Sequence, residues 1–245
     1  MVFVGRQRET SRVAAELAAG RNVVVAGKHG VGRSALVAHV AAVMGDGWRF
    51  VVLDFSRSPG QLCSDLIGRL RPAAAGKAAR KTRPFVSARA MAVKLEPRGR
   101  RSHVIVLDEV AALTAQKAIL LRRLVSTGRY RFVAIVESRM REAELFQLRA
   151  FLVPVRTVTL GNLPNAATRE YFATVSGELG LGWTQAEIAG SARVSGGYPP
   201  LMTEIAAGAA QRNAGGRYDS SRWRVPAAPA RPLQSGAAPR RSGER

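Results

Sequence analysis

The chain of 245 residues is long enough for one sizeable domain with an appendage, and its 47% hydrophobic content excludes a fibrous or wholly disordered protein. Lys and Arg total 38 against 17 Asp and Glu, a formal charge of +21, so acidic partners, nucleic acid first among them, enter at once. The single Cys63 excludes an internal disulfide framework and a Cys-rich zinc site; with no run of 18 apolar residues and no secretion signal at the N-terminus, a cytoplasmic chain with no membrane partner is expected.

In chain order, apolar blocks rich in β-branched residues predict five buried strands at 22–26, 48–55, 103–107, 131–136 and 155–160. Helical spacing lies before and between them, at about 8–19, 33–44, 59–70, 112–126 and 140–149. That alternation predicts an α/β fold, a five-stranded parallel sheet flanked by helices. After Leu160 the strand signal stops, and 165–178, 184–194 and 199–212 read as helices forming a small lid. The expected divisions are an α/β domain at 1–162, a helical lid at 163–212 and a disordered basic tail at 213–245, rich in Pro, Gly, Ala and Ser. There is no internal repeat.

The first strand runs into Gly27-Lys28-His29-Gly30-Val31-Gly32-Arg33-Ser34 and then a helix from Ala35. This is the spacing of a phosphate-binding loop, in which backbone N–H groups and a helix N-terminus face a polyphosphate and Ser34 would ligate Mg²⁺. Arg33 stands where a Lys normally reaches the β- and γ-phosphates. Arg keeps the charge but is longer, planar and forked, which predicts nucleotide binding with slowed hydrolysis. Composition gives a plainer account of the same residue, since 33 of the 38 basic residues are Arg. A simple strand-to-helix turn is the structural alternative for the glycines.

The third strand ends in Asp108-Glu109. A carboxylate at a strand's C-terminal end lies where ligands bind in open α/β sheets. Asp108 can hold the metal, directly or through water, and Glu109 can orient and deprotonate an attacking water. Two solvated acids at a helix start are the plain alternative.

The charge is uneven. Residues 69–101 carry a net +10 and residues 212–245 a net +6, leaving +5 for the other 178 residues. The internal segment, an insertion at about 71–102, could neutralise several nucleic-acid phosphates; only Phe85 in it could stack on a base. A solvated Arg-rich loop is the competing reading. His29, His39 and His103 show no metal-ligand spacing, and Cys63 reads as core.

Four motifs together resemble P-loop ATPases of the AAA+ and STAND type. Phe3-Val4-Gly5-Arg6-Gln7-Arg8-Glu9 is similar to the box that precedes the first helix in origin-recognition-like and STAND ATPases. The phosphate loop and the Asp108-Glu109 pair are the second and third. Gly196-Gly197-Tyr198-Pro199-Pro200-Leu201-Met202 resembles the Gly-x-Pro motif of STAND lids. The resemblance implies ATP and Mg²⁺ as cofactors, the backbone at Val4 and Gly5 near the adenine, and Pro199 packed on the base. A weaker element, strand 131–136 followed by Glu137-Ser138-Arg139, resembles the family's sensor and would bring Ser138 and Arg139 near the γ-phosphate. A surface Arg after a strand reads equally well there, and Glu137 is unusual.

A second class of phosphate loop carries an extra Lys at the position of Lys28, yet lacks the opening box, the lid and the Glu after the metal Asp. The implied function is an ATP-binding switch, with ATPase activity carried by Glu109, Arg33 and Arg139. A basic nucleic-acid-binding protein with a degenerate ATPase site is the alternative. Partners on these readings are ATP, nucleic acid through residues 69–101 and the tail, and a protein partner or second copy of the chain.

Overall fold

The computed structural model describes residues 3–70, 85–96 and 101–213, with side chains of 85–88 excepted. The elements run α1 Gln7–Ala18, β1 Asn22–Gly27, α2 Arg33–Met44, β2 Trp48–Asp54, α3 Pro59–Leu70, α4 Phe85–Lys94, β3 Ser102–Val110 and α5 Ala115–Ser126. They continue with β4 Arg131–Glu137, α6 Glu142–Phe151, β5 Val155–Leu160, α7 Asn165–Glu178, α8 Gln185–Ser195 and α9 Pro199–Asn213. All five strands are parallel, in the order β2-β3-β4-β1-β5.

The strands read as apolar runs because both faces of the sheet are covered. Alternate residues serve opposite faces. Val24, Ile105, Leu107, Phe132 and Ala134 join one core with Leu62, Leu66, Leu121 and Leu148 from α3, α5 and α6. Val23, Val25, Val104, Val106, Val133 and Ile135 join the other with Val13 and Leu17 of α1 and Leu36 and Val40 of α2. Each Val, Leu, Ile or Phe among them, removed from water, contributes roughly 1.5–3 kcal/mol. A third cluster, with Tyr171, Phe172, Val175, Ile188 and Met202, holds α7, α8 and α9 together and includes Val4 from the opening box. A capping box between Thr184 and Glu187 starts α8.

Two expectations change. The basic stretch 69–101 is not uniform: α4 lies inside it and its neighbourhood puts Ala92 and Leu95 into the core beside α3. Its Ala, Met and Val spacing serves packing although Arg89 and Lys94 give it a polar composition. The strand expected to stop at Leu107 reaches Val110, through a register shift over Asp108 and Glu109 against β4. The expected insertion residues 71–84 and 97–100, and the tail from 214, lie outside the described residues.

Candidate functional site

β1 ends at Gly27 and the chain wraps into the N-terminus of α2. Gly32 is the N-cap of α2, at φ +92°, and supplies no side-chain cap; no acidic residue stands in the first turn. The first N–H groups of a helix have no intrahelical partner and carry its positive dipole end. No heavy atom lies within 4 Å of where a Cβ on Gly32 would sit, so space is open above these donors. Lys28 and His29 are exposed at the crown of the loop and Arg33 is half-buried in the first turn.

Ser34 Oγ, the second helical residue, is 3.3 Å from both carboxylate oxygens of Asp108. One of these oxygens also accepts from the Glu109 amide at 2.9 Å. Glu109 has φ +59°, the one non-glycine with a positive φ among the described residues, and it falls on the register shift. A side chain held in the left-handed region costs of order 1–3 kcal/mol, and such strain gathers at functional sites.

Asp54 at the end of β2 lies opposite Asp108 in register. Burial alone would raise its carboxyl; hydrogen bonds from Ser56 and Arg57 outweigh that and leave the pKa below the ordinary value. The Phe55 amide donates to the Asp108 carbonyl at 2.7 Å, and the Phe55 carbonyl accepts from Lys117 Nζ at 2.6 Å. Lys117 is 7% exposed and lies 5.0 Å from the centre of the Phe55 ring; burial lowers its pKa, with Asp54 opposing. Sequence reading missed Lys117, since nothing local marks a lysine in the first turn of a helix, seven residues past a strand, as buried.

The opening box packs between the sheet and the helices that follow β5. Gly5, at φ +67°, lies so close to α7 that a Cβ there would collide with Ala167 Cβ. Arg6 is buried and donates to the Val31 carbonyl of the loop at 3.2 Å and to Gly161 beyond β5 at 2.5 Å, besides pairing with Glu9. From the other side, Tyr198 donates to the His29 carbonyl at 3.3 Å. The residues of the Gly-Gly-Tyr-Pro-Pro stretch that meet Gly30 include Tyr198 and Pro200, while Pro199 opens α9. Ser138, just past β4, donates its amide to the Gly27 carbonyl at 3.0 Å, and exposed Arg139 follows it.

Residues 27–35, Asp108, Glu109 and Ser138 thus gather at the C-terminal edge of the sheet, with Tyr198 and Pro200 at the crown of the loop. Residues 2–136, more than half of the chain, match the family model described as AAA ATPase domain. The chain belongs to this family. The AAA ATPase domain here is similar in structure to the Orc1 protein of Aeropyrum pernix in complex with DNA, over 89% of this chain and 62% of that one, at TM-score 0.63 and 16% identity. It is similar to Hsp104 of S. cerevisiae in complex with casein, over 88% and 38%, at 0.62 and 14%. The RuvB Holliday junction branch migration motor of Thermotoga maritima matches over 82% and 60%, at 0.54 and 16%. At such identities the likeness carries the fold alone, and the chain spans less than two thirds of each of these proteins. No curated protein matches the chain in sequence.

Nucleotide binding belongs to the family, and the local chemistry fits it. The paired hydroxyl and carboxylate are hard oxygen donors. No cluster of three His, Cys, Asp or Glu that could hold a metal exists among the described residues. Two protein oxygens with phosphate and water completing the shell is the manner in which Mg²⁺ is usually bound. Among the described residues no helix is long and apolar enough to cross a membrane.

Proposed function

We propose that this AAA ATPase domain is an ATP-binding, Mg²⁺-dependent switch of the STAND or AAA+ kind, in which nucleotide sets the position of a lid at 163–212 over an α/β domain at 1–162. The observation that carries the reading is the approach of Ser34 Oγ to both Asp108 oxygens at 3.3 Å, beside a helix N-terminus left without a side-chain cap. The amides of residues 27–35 would bind the phosphates, with Lys28 and His29 at the crown. Ser34 and Asp108 would hold the metal, and a bound Mg²⁺ supplies charge neutralisation on the phosphate oxygens. Glu109 would take the proton of an attacking water. Ser138 and Arg139 would face the γ-phosphate side, and Val4, Gly5 and Pro199 the base. A cytoplasmic setting belongs to this reading, and the buried free thiol of Cys63 supports it.

Arg33 is the weak point for turnover, because its forked guanidinium replaces a compact ammonium. Phosphate release by the parent, Arg33→Lys and Glu109→Gln tests the reading. Slow release in the parent, a rise of tenfold or more in Arg33→Lys and none in Glu109→Gln are expected. Phosphate release indifferent to both substitutions would remove the hydrolytic assignment.

A second reading, in which the chain acts by binding nucleic acid, has one supporting observation. The ends of the basic segment meet the N-terminal ends of β2 and β3, at the sheet edge opposite the loop of residues 27–34, where Arg49 donates to the Arg69 carbonyl at 2.6 Å and Arg101 pairs with Asp46 at 3.8 Å. Filter binding to DNA over a salt series, with and without ATP, separates the two: strong binding untouched by ATP favours this reading. Whether the lid signals to a protein partner or a second copy belongs to the switch reading, and sedimentation with and without ATP addresses the latter.

A further inference from the structure

A loop that grips an anion through its N–H groups must turn its carbonyls away, and each carbonyl then needs a donor from elsewhere. The donors around this loop can be named one by one. Gly27 O accepts from the Ser138 amide at 3.0 Å, Lys28 O from the Val31 amide at 3.5 Å and Gly32 O from the Leu36 amide at 2.9 Å. Val31 O accepts from Arg6 Nη2 at 3.2 Å. These come from the α/β layer and the buried box. The His29 carbonyl alone among them is held by the helical layer, through Tyr198 Oη at 3.3 Å.

We propose that Tyr198 is a positioning residue for phosphate binding, which holds the crown of the loop with its carbonyl outward so that the neighbouring amides point to the ligand. The inference rests on the nucleotide reading above and deepens it. Tyr198 is itself fixed: its amide donates to Ser195 O and its carbonyl accepts from Met202, both at 3.0 Å, so the ring stands on the first turn of α9. The fit is close. A Cβ on Gly30, at φ +75°, would meet Pro200 Cγ at 2.6 Å and Tyr198 Oη at 2.8 Å. The glycine is therefore demanded by the helical layer as well as by its own backbone. Coupling between the two is reciprocal: whatever fixes the loop also fixes α9, and loss of the hydroxyl weakens both.

The test uses the full chain, the conservative variant Tyr198→Phe and equilibrium binding of ATP with Mg²⁺. Affinity should fall about three- to tenfold, the range for one hydrogen bond, while the unfolding midpoint without nucleotide stays within about 2 °C of the parent. ATP should slow hydrogen exchange in residues 199–213 of the parent, and less so in Tyr198→Phe. A cycle adds a second handle: Gly30→Ala should weaken ATP binding in both backgrounds through its positive φ and the contact with Pro200 Cγ, and by more in the parent, where the added methyl also meets Tyr198 Oη. Equal affinity and equal protection in Tyr198→Phe, or an equal Gly30→Ala effect in both backgrounds, would overturn the inference while leaving nucleotide binding intact. A parent that binds no ATP would overturn the nucleotide reading and this one with it.

Discussion

Glu109 holds a left-handed backbone, φ +59°, on the register shift of β3, and its carboxylate makes no ion pair among the described residues. Replacing it by glycine should therefore remove strain and few contacts. Left-handed backbone costs a non-glycine residue of order 1–3 kcal/mol. Glycine returns about 0.4–1 kcal/mol of that through the greater freedom of its unfolded chain. The net expectation for Glu109→Gly is a gain of about 1 kcal/mol, or roughly 2–4 °C in unfolding midpoint for a domain of this size. Glu109→Ala, which keeps the Cβ and loses the same carboxylate, should stay within about 0.5 kcal/mol of the parent. Urea unfolding followed by circular dichroism without nucleotide measures both, and phosphate release measures the other side. Glycine should be the more stable and both variants inactive. If Glu109→Gly is no more stable than Glu109→Ala, the backbone at Glu109 stores no strain.

Burial pushes the Cys63 thiol up to about 11, so at pH 8 it should resist a thiol reagent in the folded protein and react fully in urea. Rapid native labelling would contradict the packing of α3. Burial lowers the pKa of His103 below its ordinary 6.5, with Nδ1 on the Arg101 carbonyl at 2.8 Å. Below pH 6.5 the unfolded chain binds the extra proton first, so stability should fall as pH drops from 7.5 to 5.5, and less steeply in His103→Gln. A parallel pH profile in that variant would refute the assignment. Gly5→Ala should cost about 1–3 kcal/mol through its positive φ and the clash with Ala167, and Ala167→Gly should recover part of the clash in a double-mutant cycle. Strict additivity would mean the two do not touch.

The sheet and the strand–loop–helix of residues 22–44 were legible because their information is local. Val23-Val24-Val25 buries on both faces, and the spacing from Gly27 to Ser34 dictates a strand, a turn and a helix start within one stretch of chain. The Asp108 position was legible for the same reason, since an apolar run ends in a carboxylate. What escaped reading is long-range. Arg6 reaches Val31 and Gly161, separations of 25 and 155 residues, and Tyr198 reaches His29 across 169. No periodicity announces such bonds. The helix α4 hid behind its charge: Arg89 and Lys94 made residues 69–101 look uniformly solvated, while Ala92 and Leu95 face the core. The bulge at Asp108 and Glu109 also left no mark, because an acidic pair reads alike with or without a left-handed turn.

On the proposed reading, the amides of residues 27–35, with Ser34 and Asp108, form a Mg²⁺-dependent nucleotide site. Titration calorimetry of ATP into the full chain, with Mg²⁺ and with a chelator, and repeated with Ser34→Ala, addresses it directly. Saturable binding, strengthened by Mg²⁺ in the parent and no longer strengthened in Ser34→Ala, is expected. Absence of binding, or binding indifferent both to the ion and to the hydroxyl, would contradict it.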